Sequence, residues 1–477
     1  MSELQLIKEL EKKYNIEDVV TSDLKVWSFL RYYYFSEILK TGSYYRFKKG
    51  KELEQFLQKI KKSFQVLYGI DNMISVRNCR YLLFTDSLEK RIFNGKFIDK
   101  IAEGLFEVLG YENFIVIENP TSEGHIPINK LKQKKVISLY LFLLLAKLRK
   151  TPKIEVLNED ILKELGNNLN VSIDYKKMIG KFFKLAKLWY DLIIKMRPEI
   201  VFINCYYNIY HQSLIYACKK LKIPVVELQH GVINSEHYAY NINKDLGNLT
   251  FPDYLSVFGE YFKTFFKGQN YFISQEKVFP VGYYYLDLMK NYSLEEKYKK
   301  FADIWKQDFK KVILISGQES SKFSKDILEF YIECAKRDKR NIYIYRPRLL
   351  NVKLPNISMD NFIIIRERDF DIYRLLKIAD IHTTHYSTTC FESLSFSVPN
   401  IMVNINNMSK LHFGSILDEN FNTYYVDTVD GFIDVVKKIK KSDFLCEKAS
   451  YFFANNHTKL LESAINRILE ETKGVGL

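Results

Sequence analysis

The stretch from Arg197 to Tyr240, RPEIVFINCYYNIYHQSLIYACKKLKIPVVELQHGVINSEHYAY, constrains the fold more than any other part of the chain. Ile200–Asn204 is a short apolar run, too brief for a helix and rich in β-branched residues, which is how a buried strand reads. Ile209, Leu214, Ala217 and Leu221 then recur at helical spacing, and Pro224 opens a second buried run, Val225–Leu228. Gln229-His230-Gly231 follows at the end of that run. In open α/β sheets ligands bind at the carboxyl ends of the strands. Glycine there lets a backbone N–H approach an anion, and histidine trades protons near neutrality. The alternative is a structural turn in which His230 only hydrogen-bonds the backbone.

The same alternation extends in both directions. Upstream, Tyr81–Phe84 reads as a strand ending in Thr85-Asp86-Ser87. A charged turn at Glu89–Gly95, a helix at Phe97–Leu109 and a strand at Phe114–Ile117 follow. Residues 1–75 read as helices, including Leu24–Leu39, apolar on more than one face, and the amphipathic Lys51–Phe64. Residues 121–196 read as helical, with a long amphipathic helix at Tyr175–Met196. Downstream, Pro252 begins a connector, and strands are expected at Tyr254–Phe258, Val278–Val281, Val312–Ile315, Ile342–Tyr345, Phe362–Ile365, Ala379–Thr383 and Asn400–Val403. Helical runs between strands of this length imply parallel sheets with right-handed crossovers, an α/β fold. At 477 residues the chain exceeds what one core usually serves. The expected division is a first domain over 1–250 with a helical amino-terminal extension, a second over 251–445, and a closing helix within 446–477.

Composition narrows the function classes. The six cysteines are scattered without a CxxC pair, which fits free thiols in a reducing compartment and neither a disulfide framework nor a zinc site. The amino-terminal MSELQLIKELEKK is charged throughout, unlike a signal peptide, so a cytoplasmic location is expected. The formal charge of +14 suits nucleic acid, anionic lipid or phosphate-bearing substrates. The lysines are spread along the chain and no nucleic-acid motif occurs, so no nucleic-acid partner is expected. Val136–Ala146 is the longest apolar stretch, about half of the roughly 20 residues that span a bilayer. Lysines and Arg149 flank it. It reads either as a buried helix with solvated ends or as a helix lying on an anionic membrane surface.

Several expected strand ends carry chemistry. Asp86 and Glu118 lie at two of them, each a candidate general base or a cap for the next helix. Ser316–Ser321, with Gly317 and Gln318, offers hydroxyls and N–H groups at a helix start, though without P-loop spacing. Tyr386, Ser387, Thr388 and Thr389 crowd the start of another helix, where the dipole favours an anion; one N-cap would need a single hydroxyl. Glu392, one turn on, could accept hydrogen bonds from a ribose diol. Arg346 and Arg348 flank Pro347 at a strand end and place fixed cations on the same rim. Asp369-Phe370-Asp371 has the DxD pattern of some metal-dependent sugar transferases, but Asp371 reads as the cap of the helix it precedes. His382 and His385 would point to opposite faces of a strand, and no metal is expected.

IPVVELQHGVI…HYAY, FPDYLSVFGEY, VFPVGYYYLD and HYSTTCFESLSFSVPNIMV together resemble the bacterial GT-B glycosyltransferases of capsule and surface-polysaccharide assembly. That group includes polysialyltransferases, capsule Kdo transferases and, distantly, CDP-glycerol glycerophosphotransferases. The resemblance covers roughly residues 80–405. It implies two Rossmann-like domains facing a cleft, with extra amino-terminal helices. It also implies metal-independent sugar transfer, without a cofactor, from a nucleotide-sugar donor to a glycan or lipid-linked acceptor. The family's Ser/Thr signature for donor phosphate falls on Ser387 and Thr388, its glutamate on Glu392, and its QHG histidine on His230. The glycerophosphotransferase relatives use a comparable histidine as base, whereas sialyltransferase-like members use an amino-terminal carboxylate. A His-Pro motif frequent in CMP-sugar users stands here as Arg346-Pro347, which weighs against a CMP-sialic-acid-type donor. Gly231, Gly317, Gln318, Arg346, Arg348, Tyr386 and Thr389 complete the expected donor-binding set. The implied location is cytoplasmic, at most peripheral on the inner membrane face. The alternatives are phosphoryl transfer from a CDP-polyol and a non-catalytic nucleotide- or RNA-binding protein.

Overall fold

A computed structural model describes residues 3–38, 65–121, 123–235, 237–268, 270–319, 323–348, 352–368, 370–442 and 444–474. The expected helix at Lys51–Phe64, the last residue of Leu24–Leu39, and Ser320, Ser321 and Asp369 lie outside the described residues. The chain divides into two units, Met1–Gly282 with Asn456–Leu477, and Tyr283–Asn455.

The first unit holds β1 (Val20–Thr21), β2 (Leu24–Lys25), β3 (Tyr81–Asp86), β4 (Lys90–Phe93), β5 (Lys96–Asp99), β6 (Phe114–Asn119), β7 (Val136–Ser138), β8 (Ile200–Ile203), β9 (Val225–Leu228), β10 (Tyr254–Val257) and β11 (Val278–Pro280). Seven of them form one sheet in the order β11-β10-β9-β8-β3-β6-β7, and every neighbouring pair in it is parallel. Strands covered on both faces read as continuous apolar runs, and β8, β9 and β10 are buried at every position. On one face Tyr81, Leu83, Phe114, Val116, Ile200, Phe202, Val226 and Leu228 pack with Leu105 and Phe106, and with Leu461, Ile465 and Ile468 of the last helix, His457–Gly474. The alternate residues serve the other face, where Phe84 meets Trp189 of helix Tyr175–Met196 and His211 of helix Ile209–Lys220.

The second unit holds β12 (Val312–Ser316), β13 (Ile342–Arg346), β14 (Phe362–Ile364), β15 (Ile381–Thr384), β16 (Asn400–Val403) and β17 (Thr423–Val426). Its sheet runs β14-β13-β12-β15-β16-β17, again parallel throughout. Ile313, Ile315, Tyr343, Tyr345, Ile401 and Val403 meet Ile327, Leu328, Tyr331 and Cys334 of helix Ser324–Arg337.

Several elements differ from the sequence expectation, among them β1 and β2, which lie in a region expected to be helical. The charged turn after Asp86 is an antiparallel hairpin, β4 with β5, and only Glu103–Leu109 of the expected helix at Phe97–Leu109 is helical. Val136–Ser138 is the edge strand β7, with a helix from Leu139 to Lys147 behind it. The connector expected at Pro252 leads into β10 and β11, which hydrogen-bond onto β9, so the first unit runs to Gly282 rather than 250. The closing helix belongs to that first unit from Asn456 onward, while residues 446–455 belong to the second.

Candidate functional site

In the first unit, β3 and β6 end in the polar residues Asp86 and Asn119, and Asn204 and Gln229 directly follow β8 and β9 at the same carboxyl edge of the sheet. Asp86 closes β3 and pairs in register with Asn119 of β6. Asn119 Nδ2 donates to Asp86 Oδ1 at 2.6 Å and Asn204 Nδ2 to Oδ2 at 3.1 Å. Asp86 precedes a short helical turn at Ser87–Glu89 but makes no capping hydrogen bond to it. Its carboxylate is therefore held across three strand ends, not used locally as a cap. Burial raises its pKa in spite of the two amides, and Glu89 and Asp99 add to the rise.

Glu118, the other carboxylate considered from sequence, is fully buried. Lys90 Nζ lies 3.2 Å from it, His125 Nδ1 2.8 Å and Ser87 Oγ 2.6 Å. Burial pushes its carboxyl up, but the Lys90 ammonium and the hydrogen bonds from His125 and Ser87 win and lower it to about 2. Lys90 also meets Asp99 at 2.9 Å. A carboxylate so completely engaged is a structural anion rather than an accessible base.

His230 follows β9. Its Nε2 lies 3.0 Å from Tyr207 Oη, and its Nδ1 is buried with no hydrogen-bond partner. Burial lowers the imidazole pKa and Lys100 reinforces that, while the nearby Glu89 carboxylate and the backbone of Leu228 oppose it. The ring is therefore biased toward neutrality. When Tyr207 accepts from Nε2, Nδ1 presents a lone pair; when Tyr207 donates, Nδ1 carries the proton. Gln229 anchors the turn: its Oε1 accepts Phe258 N at 2.7 Å and its Nε2 donates to Gly231 O at 2.8 Å. A Cβ added at Gly231 would meet nothing within 4 Å, so this glycine borders open space. Strand β8 lies between β3 and β9, which separates the Asp86 and His230 strand ends by about 10 Å, two strand spacings. They form no dyad.

Sequence reasoning missed Glu89, Tyr207 and the rings around them. Tyr207 has ring centroids 5.3 Å from Tyr32, 5.5 Å from His237 and 5.9 Å from His230. Tyr32 comes from helix Trp27–Ile38. On the same helix Arg31 pairs with Glu11 at 2.5 Å, donates to Asn241 O at 2.9 Å and also donates to Tyr238 O. The amino-terminal helices thus grip the loop that follows His230. Breaking such a buried pair by removing one partner costs about 3–5 kcal/mol. The visible signal was the aromatic run at 32–35 on a helix without one polar face.

In the second unit, the loops after β12, β13 and β15 are joined by hydrogen bonds. Tyr386 N donates to Gln318 Oε1 at 2.8 Å, and Thr384 Oγ1 to Ser316 O at 3.2 Å. Tyr345 Oη and Arg348 N donate to the two oxygens of Glu319, at 2.9 and 3.0 Å. Gly317 differs from expectation: its N–H donates to Arg346 O at 2.9 Å, so it is not an amide awaiting an anion. A Cβ there would lie 2.2 Å from Glu319 Oε1 and 2.7 Å from Tyr345 Oη, so a larger residue would have to displace both side chains. Arg346 is half-buried, with Nη1 on Ile365 O at 2.9 Å, and Arg348 is exposed.

Thr388 precedes the short helix Thr389–Leu394 without making a side-chain cap. Ser387 Oγ lies 3.0 Å from Thr389 Oγ1 and accepts Thr389 N at 3.4 Å. Ser387 and Tyr386 are half-buried and Thr388 is exposed. Glu392 is half-buried on the same helix, where its charge bears on Tyr373 of helix Ile372–Ile378.

Asp371 caps helix Ile372–Ile378, accepting Arg374 N at 3.1 Å on Oδ1 and Tyr285 Oη at 2.8 Å on Oδ2. His382 is held by Ser316 Oγ at 2.8 Å and Asn400 Oδ1 at 2.7 Å, and His385 Nε2 lies 2.9 Å from Ile405 O. Among the described residues no group of three or more His, Cys, Asp or Glu is placed to hold a metal ion.

No protein-family model and no curated protein matches the chain. Among solved structures it is similar to a putative UDP-N-acetylglucosamine 2-epimerase from Listeria monocytogenes, with a TM-score of 0.51 at 11% identity over 82% of this chain and 97% of that one. It is also similar to the glycotransferase of kitacinnamycin, with a TM-score of 0.50 at 11% identity over 82% and 99% of the two chains. At that identity the likeness speaks for the fold, and the fold is GT-B: two Rossmann-like α/β units with parallel sheets, here with added amino-terminal helices.

Proposed function

We propose that this GT-B chain is a glycosyltransferase that moves a sugar from a nucleotide-activated donor to a glycan or lipid-linked acceptor, as in bacterial capsule and surface-polysaccharide synthesis. The observation that carries the reading is His230. It is a ring biased toward neutrality, with one nitrogen on Tyr207 and the other without a partner, at the carboxyl edge of a parallel sheet. In this reading His230 takes the proton of the acceptor hydroxyl as that oxygen bonds to the sugar's anomeric carbon. The bond from that carbon to the nucleotide phosphate breaks, and the phosphate leaves with the electron pair. Asp86, held by two amides, is the alternative base. A positioned base contributes about 10²–10⁴-fold.

The second unit takes the nucleotide. Ser387, Thr388 and Thr389 supply hydroxyls to the phosphates and Arg346 and Arg348 supply cations. Tyr386 and Gln318 hold the loop between them, and Glu392 accepts from the ribose. Arginines and oriented hydroxyls stabilise the charge that develops on the leaving group. The reaction needs no divalent metal in this reading, because Asp371 of the only DxD in the sequence caps a helix with one oxygen and accepts the Tyr285 hydroxyl with the other.

The Listeria neighbour is described as a UDP-N-acetylglucosamine 2-epimerase, which supplies a second reading: inversion of a sugar centre on the bound nucleotide, with no acceptor. A thermal-shift screen with UDP-, GDP-, CMP- and CDP-activated donors tests the shared premise, since a ligand that binds only the folded state raises Tm. A rise with one nucleotide family supports it. No rise with any donor, together with salt-sensitive RNA binding, contradicts it.

A further inference from the structure

The apolar stretch that reads either as a buried helix or as one on a membrane surface is divided in the structure. In helix Leu139–Lys147, Leu139, Leu141, Phe142 and Ala146 are buried, and Phe142 packs on Trp189 with ring centroids 5.2 Å apart. Leu144 and Leu145 point away from that contact and are 44% and 38% exposed, and Leu148, just past the helix, is 76% exposed. Ile194, on the helix that carries Trp189, is 43% exposed. Arg149 Nη1 bonds Asp191 Oδ2 at 2.8 Å, tying the leucine-bearing end to the turn just before Ile194.

The local sequence is strongly basic, although Lys132 is paired with Glu103 and Glu107 and Lys176 with Glu159. From Gly124 to Ile154 the chain carries eight lysines and arginines and no aspartate or glutamate. Helix Tyr175–Met196 has six lysines against Asp191 alone, and Asp191 is already paired with both Arg149 and Lys187. Lys147 and Lys150 are exposed beside Leu148. Protein–protein interfaces are depleted in lysine. Leucines entering an interface while lysines reach up to phosphates are characteristic of membrane surfaces.

We propose that this face docks the first unit on an anionic phospholipid bilayer. Leu144, Leu145 and Leu148 enter the headgroup boundary, and Lys147 and Lys150 meet lipid phosphates. The inference does not depend on the proposed reaction, since vesicle binding needs neither donor nor acceptor. The test is co-sedimentation of the full chain with vesicles of phosphatidylcholine, alone and mixed with phosphatidylglycerol, at low and high salt. The wild type should bind the mixed vesicles, less so as salt rises. Leu144→Glu/Leu148→Glu and Lys147→Glu/Lys150→Glu should each weaken binding by about tenfold or more at unchanged Tm. The lysine pair decides the matter if the leucine pair fails to fold. Equal binding to neutral vesicles, or wild-type binding by the lysine variant, would overturn the proposal. So would a leucine variant that light scattering shows to convert a dimer to monomers, because the face would then belong to a second copy.

Discussion

Tyr207 Oη lies 3.0 Å from His230 Nε2 and leaves Nδ1 as the ring nitrogen without a protein partner. His230→Ala should lower turnover by about 10²–10⁴-fold with nucleotide affinity little changed. If nucleotide affinity falls instead, with little further loss of rate, His230 is a phosphate ligand. Asp86→Asn, which keeps size and one of the two accepted amide hydrogen bonds on a group that cannot take a proton as a carboxylate does, then becomes the base test.

The carboxylate of Glu89 favours the charged form of His230, so removing it should lower the imidazole pKa further. A base acts in its neutral form, and that form would then persist to lower pH. In Glu89→Gln the acidic limb of the kcat/KM profile should move to lower pH; a shift to higher pH would show that His230 does not set that limb.

Glu227, buried in β9, makes a separate stability prediction. Burial raises its carboxyl to about 8, against hydrogen bonds from Tyr240 and Tyr206 that lower it. Its folded pKa lies above its ordinary value, so its contribution is fully present below about pH 4.5 and is lost as pH rises toward about 8. Glu227→Gln keeps an oxygen for both donors and cannot ionise. Its Tm should fall less than that of the wild type between pH 5 and 8, and parallel curves would refute the assignment.

Ser387→Ala/Thr388→Ala should weaken nucleotide binding with little change in Tm, because Thr388 makes no cap and Ser387 reaches only Thr389, its N–H at 3.4 Å and its hydroxyl at 3.0 Å. Unchanged nucleotide affinity in a calorimetric titration would remove the phosphate role.

Much of this fold was legible because a buried parallel strand has a local signature. Val225–Leu228 and Asn400–Val403 were read to the residue. Which sheet a strand joins is not local: β10 and β11 carry the same apolar pattern as β12 and β13, and only pairing assigns them to the first unit. The β4–β5 hairpin was hidden because its charged residues are used inside the protein, Lys90 against Asp99. The site followed the same rule. Asp86 and His230 sit at strand ends and could be picked from sequence. Glu89 and Tyr32 reach His230 and Tyr207 only through packing between residues more than a hundred positions apart.

The central claim is that a sugar leaves a nucleotide and arrives on an acceptor. Mass spectrometry of reactions pairing nucleotide-activated donors with oligosaccharide and lipid-linked acceptors, run in excess EDTA, tests it most directly. Acceptor mass should increase by one sugar residue for each nucleotide released, and His230→Ala should suppress both. A donor converted to its epimer at unchanged mass, a polyol phosphate transferred in place of a sugar, or activity that appears only when Mg²⁺ or Mn²⁺ is restored would contradict it.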